Sequence, residues 1–221
     1  MDKIIGMGNA LVDVLVRIDD DFLLEKLHLP KGSMQLIQED TLSEIRKYTS
    51  GMKIHRSTGG SAGNTVCALA ALGANPGFIG KVGQDETGAF FGDTLRQRGV
   101  NALLATCDLP SGIASTFIST DGERTFGTYL GAAATLRAED LSRKMFAGYN
   151  YLYIEGYLLQ DHDLMLRAVQ LAKEEGLQVC LDMASYNVVE AERDFFDQLI
   201  VKYVDIVFAN ESEALAYTGK A

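Results

Sequence analysis

The chain has 221 residues, of which 47% are hydrophobic and 23% are charged, an ordinary globular composition. It is long enough to form one large domain with a sizeable buried core. The net charge of −10 argues against binding to nucleic acids or anionic membranes, because both need a basic protein surface.

The cysteines and the N-terminal run restrict the protein class further. Cys67, Cys107 and Cys180 lie far apart and predict neither a disulfide framework nor a zinc site. The run MDKIIGMGNA carries an acid at Asp2 and no extended apolar region, which is not the pattern of a signal peptide. No apolar run approaches the length of a membrane span, so we expect a cytoplasmic protein.

Two strands are predicted at the N-terminus, over 3–8 and 10–18, and they meet at a bend that contains Asn9. The GMGN turn resembles the start of a dinucleotide-binding fingerprint, but Leu11 stands where the third glycine belongs. The residues that follow alternate as in a strand, so a Rossmann nucleotide site and a nicotinamide-dependent oxidoreductase are not expected. Asn9 and Asp13 are polar within an apolar run, which requires a ligand, a cap or an exposed face.

The next elements are short. Acids followed by an apolar helical spacing predict a helix over 19–27, and a strand follows over 33–38. A second helix is predicted over 41–48, with Asp40 or Thr41 as its N-cap.

A glycine-rich stretch over 57–83 is the most informative part of the sequence. Gly59 and Gly60 enter an Ala/Leu-rich helix that ends at Gly73, and Asn64 falls in its first turn. Glycines expose bare backbone, and a helix start presents free N–H groups, so the stretch could cradle a hydroxyl-rich or anionic small molecule. It could equally be a tight turn before a closely packed helix.

The remainder alternates strands and helices, which predicts a parallel sheet flanked by helices. One exception is a β-hairpin over 113–120 and 124–130, joined by Asp121-Gly122. We expect it to form, with the early strands, a small β-layer at one end of the sheet. The other predicted elements are strands over 77–80, 100–106, 149–154, 178–181 and 205–208, and helices over 86–98, 161–175, 194–202 and from Asn210 onward.

The last predicted helix begins with Asn210-Glu211-Ser212-Glu213. Asn210 could be its N-cap, with Glu213 placed favourably in the first turn. Alternatively, Glu213 could orient a hydrated Mg²⁺ ion. Taken alone, the cap is the simpler interpretation.

These motifs together resemble the ribokinase-like (PfkB) family of carbohydrate and nucleoside kinases. Gly59, Gly60, Asn64, Gly73 and Gly83 have the spacing of the first signature of the family, and Asn-Glu-Ser-Glu resembles its Asn-x-x-Glu element. The runs GMGNALVDV, DDDFL and QLIQED are similar to adenosine kinases in particular. The resemblance covers essentially the whole chain.

The resemblance implies a ribokinase-like α/β fold, a mostly parallel sheet flanked by helices in three layers, with a small β-sheet lid within 9–18, 33–38 and 113–130. It implies ATP- and Mg²⁺-dependent phosphorylation of a hydroxymethyl group on a sugar or nucleoside, with adenosine favoured. If two copies of the chain associate, we expect a homodimer that forms through the lid.

The resemblance also implies a substrate site. Asp13 would accept sugar hydroxyls, a task that suits a carboxylate, helped by Asn9, Gly59, Gly60 and Asn64.

Further implied roles fall on residues outside the glycine-rich stretch. Gln35 and Arg124 would face the pocket from the lid, although Arg124 could instead be a surface charge. Tyr157 would stack on a base or sugar face, or be an aromatic residue at the core edge. Glu213 would contact Mg²⁺ through water, with Asn210 beside it.

One departure from the family pattern is large. The second signature of the family, a Gly-Ala-Gly-Asp segment with the catalytic base, does not occur up to Ala221. We therefore expect residues 1–221 to be the N-terminal portion of a single kinase domain, with the ATP-binding portion absent and the catalytic base beyond Ala221. The alternative is a truncated, non-catalytic relative that binds a sugar or nucleoside.

Overall fold

The computed structural model describes residues 2–220, which form eleven strands and nine α-helices. The strands are β1 (Ile4–Met7), β2 (Leu11–Arg17), β3 (Met34–Leu36), β4 (Ile54–Gly59), β5 (Gly77–Gly83), β6 (Asn101–Cys107), β7 (Gly112–Ile118), β8 (Arg124–Tyr129), β9 (Tyr151–Glu155), β10 (Gln178–Asp182) and β11 (Ile206–Phe208). The helices are α1 (Phe22–Lys26), α2 (Glu39–Tyr48), α3 (Ser61–Ala71), α4 (Glu86–Gln97), α5 (Arg143–Phe146), α6 (His162–Glu174), α7 (Tyr186–Ala191), α8 (Arg193–Lys202) and α9 (Glu211–Thr218).

Six strands form a parallel sheet in the order β6-β5-β1-β9-β10-β11. Its middle strands are apolar runs buried on both faces, as is usual when helices cover a parallel sheet. On one face, Ile5 belongs to a core shared with α6 and α8, and on the other face α3 packs closely on β1. Gly6 permits this approach, because a Cβ there would lie 2.6 Å from Val66 Cγ1. The predicted three-layer α/β fold is confirmed.

Five strands form a second, mixed sheet in the order β3-β8-β7-β2-β4. The predicted hairpin is present as β7 and β8, which pair antiparallel and turn at Gly122 with a φ of +85°. The small sheet therefore contains the strands predicted for a lid. Whether the sheet moves as a lid stays a prediction.

Strand β4 was not predicted, because its sequence IHRSTG lacks an apolar alternation and its first three residues are exposed. It pairs antiparallel with β2, so that Ser57 lies opposite Asp13, and it continues directly into α3. This connection brings the glycine pair of the loop beside Asp13.

Two details near the N-terminus differ from expectation. Helix α2 begins at Glu39 after Gln38, and no side chain caps it, so the predicted cap at Asp40 or Thr41 is wrong. Strand β3 is shorter than predicted. No helix within residues 2–220 combines the length and the apolar character needed to cross a bilayer.

Candidate functional site

A cavity of about 350 Å³ lies between the small sheet and the carboxyl ends of the central strands, the usual ligand position in an open α/β sheet. One wall is apolar and comes mainly from the small sheet, and the opposite side is largely polar. The apolar lining consists of Leu11, Met34, Leu36, Leu130 and Val188, and the remaining lining of Asn9, Gly60, Ser61, Thr128, Glu155, Tyr157, Gln160, Ser185 and Asn187.

A larger cleft, of about 570 Å³, lies on the opposite face of the small sheet between α2 and α4. Val12 and Val14, which alternate with Asp13 along β2, line it together with Arg46 and Arg56. None of the predicted substrate-binding residues lines this cleft. The smaller cavity is therefore the candidate site.

Asp13 lies beside the cavity, two residues beyond Leu11 on the same face of β2. A Cβ added to Gly59 would lie 2.1 Å from Asp13 Oδ1, so any other residue there would displace the carboxylate from this position. The carboxylate has no hydrogen-bond or ion-pair partner within residues 2–220, and burial raises its pKa above the ordinary value. An acceptor in this state is suited to ligand hydroxyl groups.

The start of α3 is held by two carboxylates. Ala62 N donates to Glu155 Oε2 at 3.0 Å, and Ser61 Oγ donates to Asp182 Oδ2 at 2.7 Å. Gly60 has a φ of +78°, and a Cβ there would lie 2.4 Å from the carbonyl oxygen of Asn9. Because the positive end of the helix already faces two acids, this cradle favours neutral hydroxyls over an anion.

Glu155 and Asp182 are site residues that sequence reasoning missed. They end neighbouring strands and lie opposite each other in the ladder between β9 and β10. Asp182 also accepts from Tyr153 OH at 3.0 Å and from Ala184 N at 3.2 Å. Each is an acid at the end of a largely apolar strand, whereas Asp13 lies within one. An acid in such a place needs a partner or a ligand, so the sequence could have marked both as candidates, although not the residues that they contact.

Tyr157 is at the rim of the cavity. Its side chain is 37% exposed, and its hydroxyl donates to the carbonyl oxygen of Ala184 at 3.3 Å. Ala184 has a φ of +65°, which is uncommon for a residue with a side chain and is found mostly in turns or strained sites. The position is compatible with stacking, and that role stays a prediction.

Gln35 requires a correction. In the ladder between β3 and β8 it lies opposite Gly127, on the face that contacts Ile37 and Ile45, so it points away from the cavity. Its neighbours Met34 and Leu36 line the cavity instead. A register displaced by one residue reverses which side chains face a ligand.

Arg124 and Asn64 do not line the cavity. Arg124 is exposed at the start of β8, with its guanidinium 5.9 Å from the ring centre of Phe126. Asn64 is exposed in the first turn of α3, and its backbone N–H donates to the carbonyl oxygen of Gly60. Both roles in substrate binding stay predictions that need movement of the chain or a bridging ligand.

At the start of α9, Asn210 and Glu213 form a capping box. Glu213 N donates to Asn210 Oδ1 at 2.9 Å, and both Glu213 carboxylate oxygens accept from Asn210 at 2.9 Å. Within the described residues, no group of three or more His, Cys, Asp or Glu side chains is arranged to hold a metal ion. Both carboxylate oxygens of Glu213 are thus engaged in the capping box, and its contact with Mg²⁺ through water stays a prediction.

Comparison with known proteins gives consistent matches. The model of the family described as pfkB family carbohydrate kinase matches residues 34–221. Guanosine-inosine kinase of Escherichia coli (strain K12) is 26% identical over 232 residues, covering 99% of this chain and 53% of that protein. The chain thus spans about half the length of this curated relative.

Two solved structures are similar over nearly the whole chain. Adenosine kinase from Sinorhizobium meliloti has a TM-score of 0.86 and 34% identity, covering 99% of this chain and 68% of that one. A probable sugar kinase from Rhizobium etli CFN 42 has a TM-score of 0.86 and 31% identity, covering 99% and 67%.

Proposed function

The chain belongs to the pfkB family of carbohydrate kinases, and from this premise we propose that it holds the acceptor substrate of a nucleoside kinase. The proposed reaction transfers a phosphoryl group from ATP to a hydroxymethyl group of the nucleoside, with adenosine favoured. Substrate binding is proposed for the described residues, and the complete reaction for the whole protein.

Asp13 is the observation that carries this proposal. Its carboxylate is partly buried, its pKa is raised by that burial, and it has no hydrogen-bond or ion-pair partner within residues 2–220. Gly59 keeps the space beside it open. Two neighbouring hydroxyls of a ribose can donate to one carboxylate, which would supply the missing partners.

The walls of the cavity favour a nucleoside over a bare sugar. Leu11, Met34 and Leu36 form an apolar surface on the small sheet, and a flat purine can bury more apolar area against such a surface than a sugar can. The polar side carries Ser61, Ser185 and Asn187, whose side chains can form hydrogen bonds with hydroxyl groups. A nucleoside has both an apolar and a hydroxylated part, and so matches both sides.

The charges near the cavity favour an uncharged acceptor. Asp13, Glu155 and Asp182 are acidic, and no lysine, arginine or histidine lines the cavity within the described residues. A phosphate group on the substrate would be repelled here, unlike a neutral nucleoside.

The contribution of these residues to phosphoryl transfer is positioning. Holding the acceptor so that its hydroxymethyl oxygen is in line with the transferred group removes much of the entropic cost of the reaction. ATP with Mg²⁺, when bound, would supply the phosphoryl group and offset its charge.

The proposal is tested by a substrate panel on the full-length gene product. ADP release is measured with ATP, Mg²⁺ and, in turn, adenosine, guanosine, ribose and fructose. We expect adenosine to give the highest kcat/KM, and Asp13→Asn to abolish the activity above background. Preference for ribose or fructose would instead make the protein a sugar kinase.

The same panel separates an enzyme from a non-catalytic binding protein. Calorimetry gives the affinity for each compound independently of turnover. Tight adenosine binding without ADP release by the full-length product would contradict the kinase and support a binding role.

A further inference from the structure

Glu155 is a buried carboxylate whose charge is balanced only by N–H donors. It is 1% exposed and forms no ion pair within residues 2–220. Oε1 accepts from Asn9 N at 2.8 Å and from Asn9 Nδ2 at 2.7 Å, and Oε2 accepts from Ala62 N at 3.0 Å. Each oxygen thus accepts from a different segment of the chain, Oε1 from the bend at Asn9 and Oε2 from the start of α3.

These two segments adjoin the residues proposed to contact the substrate. Asn9 forms the bend that leads into β2 and Asp13, and Ala62 follows the Gly59–Gly60 pair at the start of α3. Glu155 itself ends β9 and is followed within two residues by Tyr157. One carboxylate therefore connects three separate segments of the cavity wall.

The surrounding backbone is shaped to admit this carboxylate. A Cβ on Gly8 would lie 2.3 Å from Glu155 Oε2, so any other residue there would displace the side chain. Burial raises the pKa of Glu155 and the nearby Asp182 adds to this effect, while its three N–H donors oppose it. An apolar residue would avoid that desolvation cost but would leave these three donors without an acceptor. The carboxylate is therefore what holds the Asn9 bend and the start of α3 together in the cavity wall.

We propose that Glu155 is a positioning residue for the acceptor substrate. It sets the spacing between the Asn9 bend and the start of α3, so that Asp13 and the glycine loop can contact one substrate molecule together. Glu155 acts on the substrate through Asn9 and Ala62, and the side-chain amide of Asn9 donates to Glu155 rather than to the substrate. This inference rests on the proposed function, because it assigns the cavity to a nucleoside.

The first test compares two variants of the full chain, with adenosine as the probe. Glu155→Gln keeps the size of the side chain but replaces one acceptor oxygen by an NH₂ group, which then faces an N–H donor. We expect adenosine to bind about ten- to a hundredfold more weakly in calorimetry, because the N–H donor that loses its acceptor moves its segment away from the position needed for binding.

Asp205→Asn is the matched control. The Asp205 carboxylate also accepts a backbone N–H, from Val179 at 2.7 Å, and it contacts Lys173 away from the cavity. This variant should lower the melting temperature without changing the adenosine affinity. If Glu155→Gln also lowers only the melting temperature and binds adenosine within twofold of the wild type, the positioning role is overturned.

A double-mutant cycle tests the route through Asn9. Because the Asn9 amide acts by way of Glu155, Asn9→Ala should weaken adenosine binding in the wild type but add little in the Glu155→Gln background. Fully additive losses would show that Asn9 contacts the substrate independently, which contradicts the proposal.

Amide hydrogen exchange of the ligand-free wild type keeps the test decisive if Glu155→Gln does not fold. The Asn9 and Ala62 amides should exchange more slowly than that of Gly63, which lies in the same turn and has no acceptor within the described residues. Equal rates for Ala62 and Gly63 would overturn the proposal. Failure of the wild type to bind any nucleoside or sugar would refute the proposed function. The exchange rates would still show whether Glu155 holds the Asn9 and Ala62 amides, because they are measured without ligand.

Discussion

Asp13 Oδ1 lies only 2.1 Å from the position that a Cβ atom on Gly59 would take. The backbone of Gly59 does not have a left-handed φ, so a side chain is excluded by space alone. We expect Gly59→Ala to displace the carboxylate, weaken adenosine binding, and cost about 1–3 kcal/mol of stability through overpacking. Calorimetry and thermal unfolding measure the two effects.

A double variant provides the control. Asp13→Ala removes the carboxylate that the new methyl group would contact, so Gly59→Ala should be less destabilising in that background. Equal stability losses in both backgrounds would mean that Gly59 is needed for some other contact.

Asp13 itself gives the second prediction. Removing its charge-assisted hydrogen bonds to substrate in Asp13→Ala should weaken adenosine binding by about 2–4 kcal/mol. Stability should not fall, because the carboxylate has no partner within residues 2–220 and its charged form is disfavoured by burial. Unchanged affinity with a lowered melting temperature would assign Asp13 to the structure of the protein instead.

The pH dependence of stability gives a third prediction. Burial raises the pKa of Asp13 in the folded state, so folding favours its protonated form. Its contribution to stability is fully present below the ordinary pKa of about 3.9 and is lost as the pH rises through the raised value. The melting temperature of Asp13→Asn relative to the wild type should therefore increase between about pH 4 and pH 7.

Other carboxylates change the stability with pH in the opposite direction. Their effect cancels when the melting temperatures of the variant and the wild type are compared. Hydrogen bonds lower the pKa of Asp85 and Asp205 despite burial, so their contribution is lost as the pH falls. Both are present in the wild type and in the variant. A constant difference in melting temperature across this range would show that the Asp13 pKa is not raised.

Local pattern predicted most of the fold, because strand and helix periods and turn glycines are properties of neighbouring residues. The site was harder for a physical reason. Glu155 contacts Ala62 across 93 residues, and Asp182 contacts Ser61 across 121 residues, so no local pattern reveals either pair. Gln35, which the resemblance placed at the pocket, lies on the other face of β3, because the face that turns inward depends on pairing with β8 and not on the β3 sequence alone.

The small sheet gives a fourth prediction. Leu11, Met34 and Leu36 cover one side of the cavity from strands outside the central sheet, so a bound nucleoside should hold this sheet closed. Hydrogen exchange should slow in β2, β3 and the β7–β8 hairpin when adenosine is added. Helix α6, which packs on the far face of the central sheet, serves as the internal control. Equal exchange with and without adenosine would contradict a movable lid.

Strand β11 gives the last prediction. It pairs with β10 on one side, with no neighbouring strand on the other within residues 2–220, and Ile206, Val207 and Phe208 are 39%, 39% and 50% exposed. An apolar edge with unpaired backbone groups promotes association between chains. We expect the 221-residue chain to self-associate at high concentration, and Val207→Lys to reduce this in sedimentation experiments. Val201→Lys on α8 is the control, because Val201 is 85% exposed but lies on a helix. An equal effect of both variants would attribute association to surface hydrophobicity rather than to the strand edge.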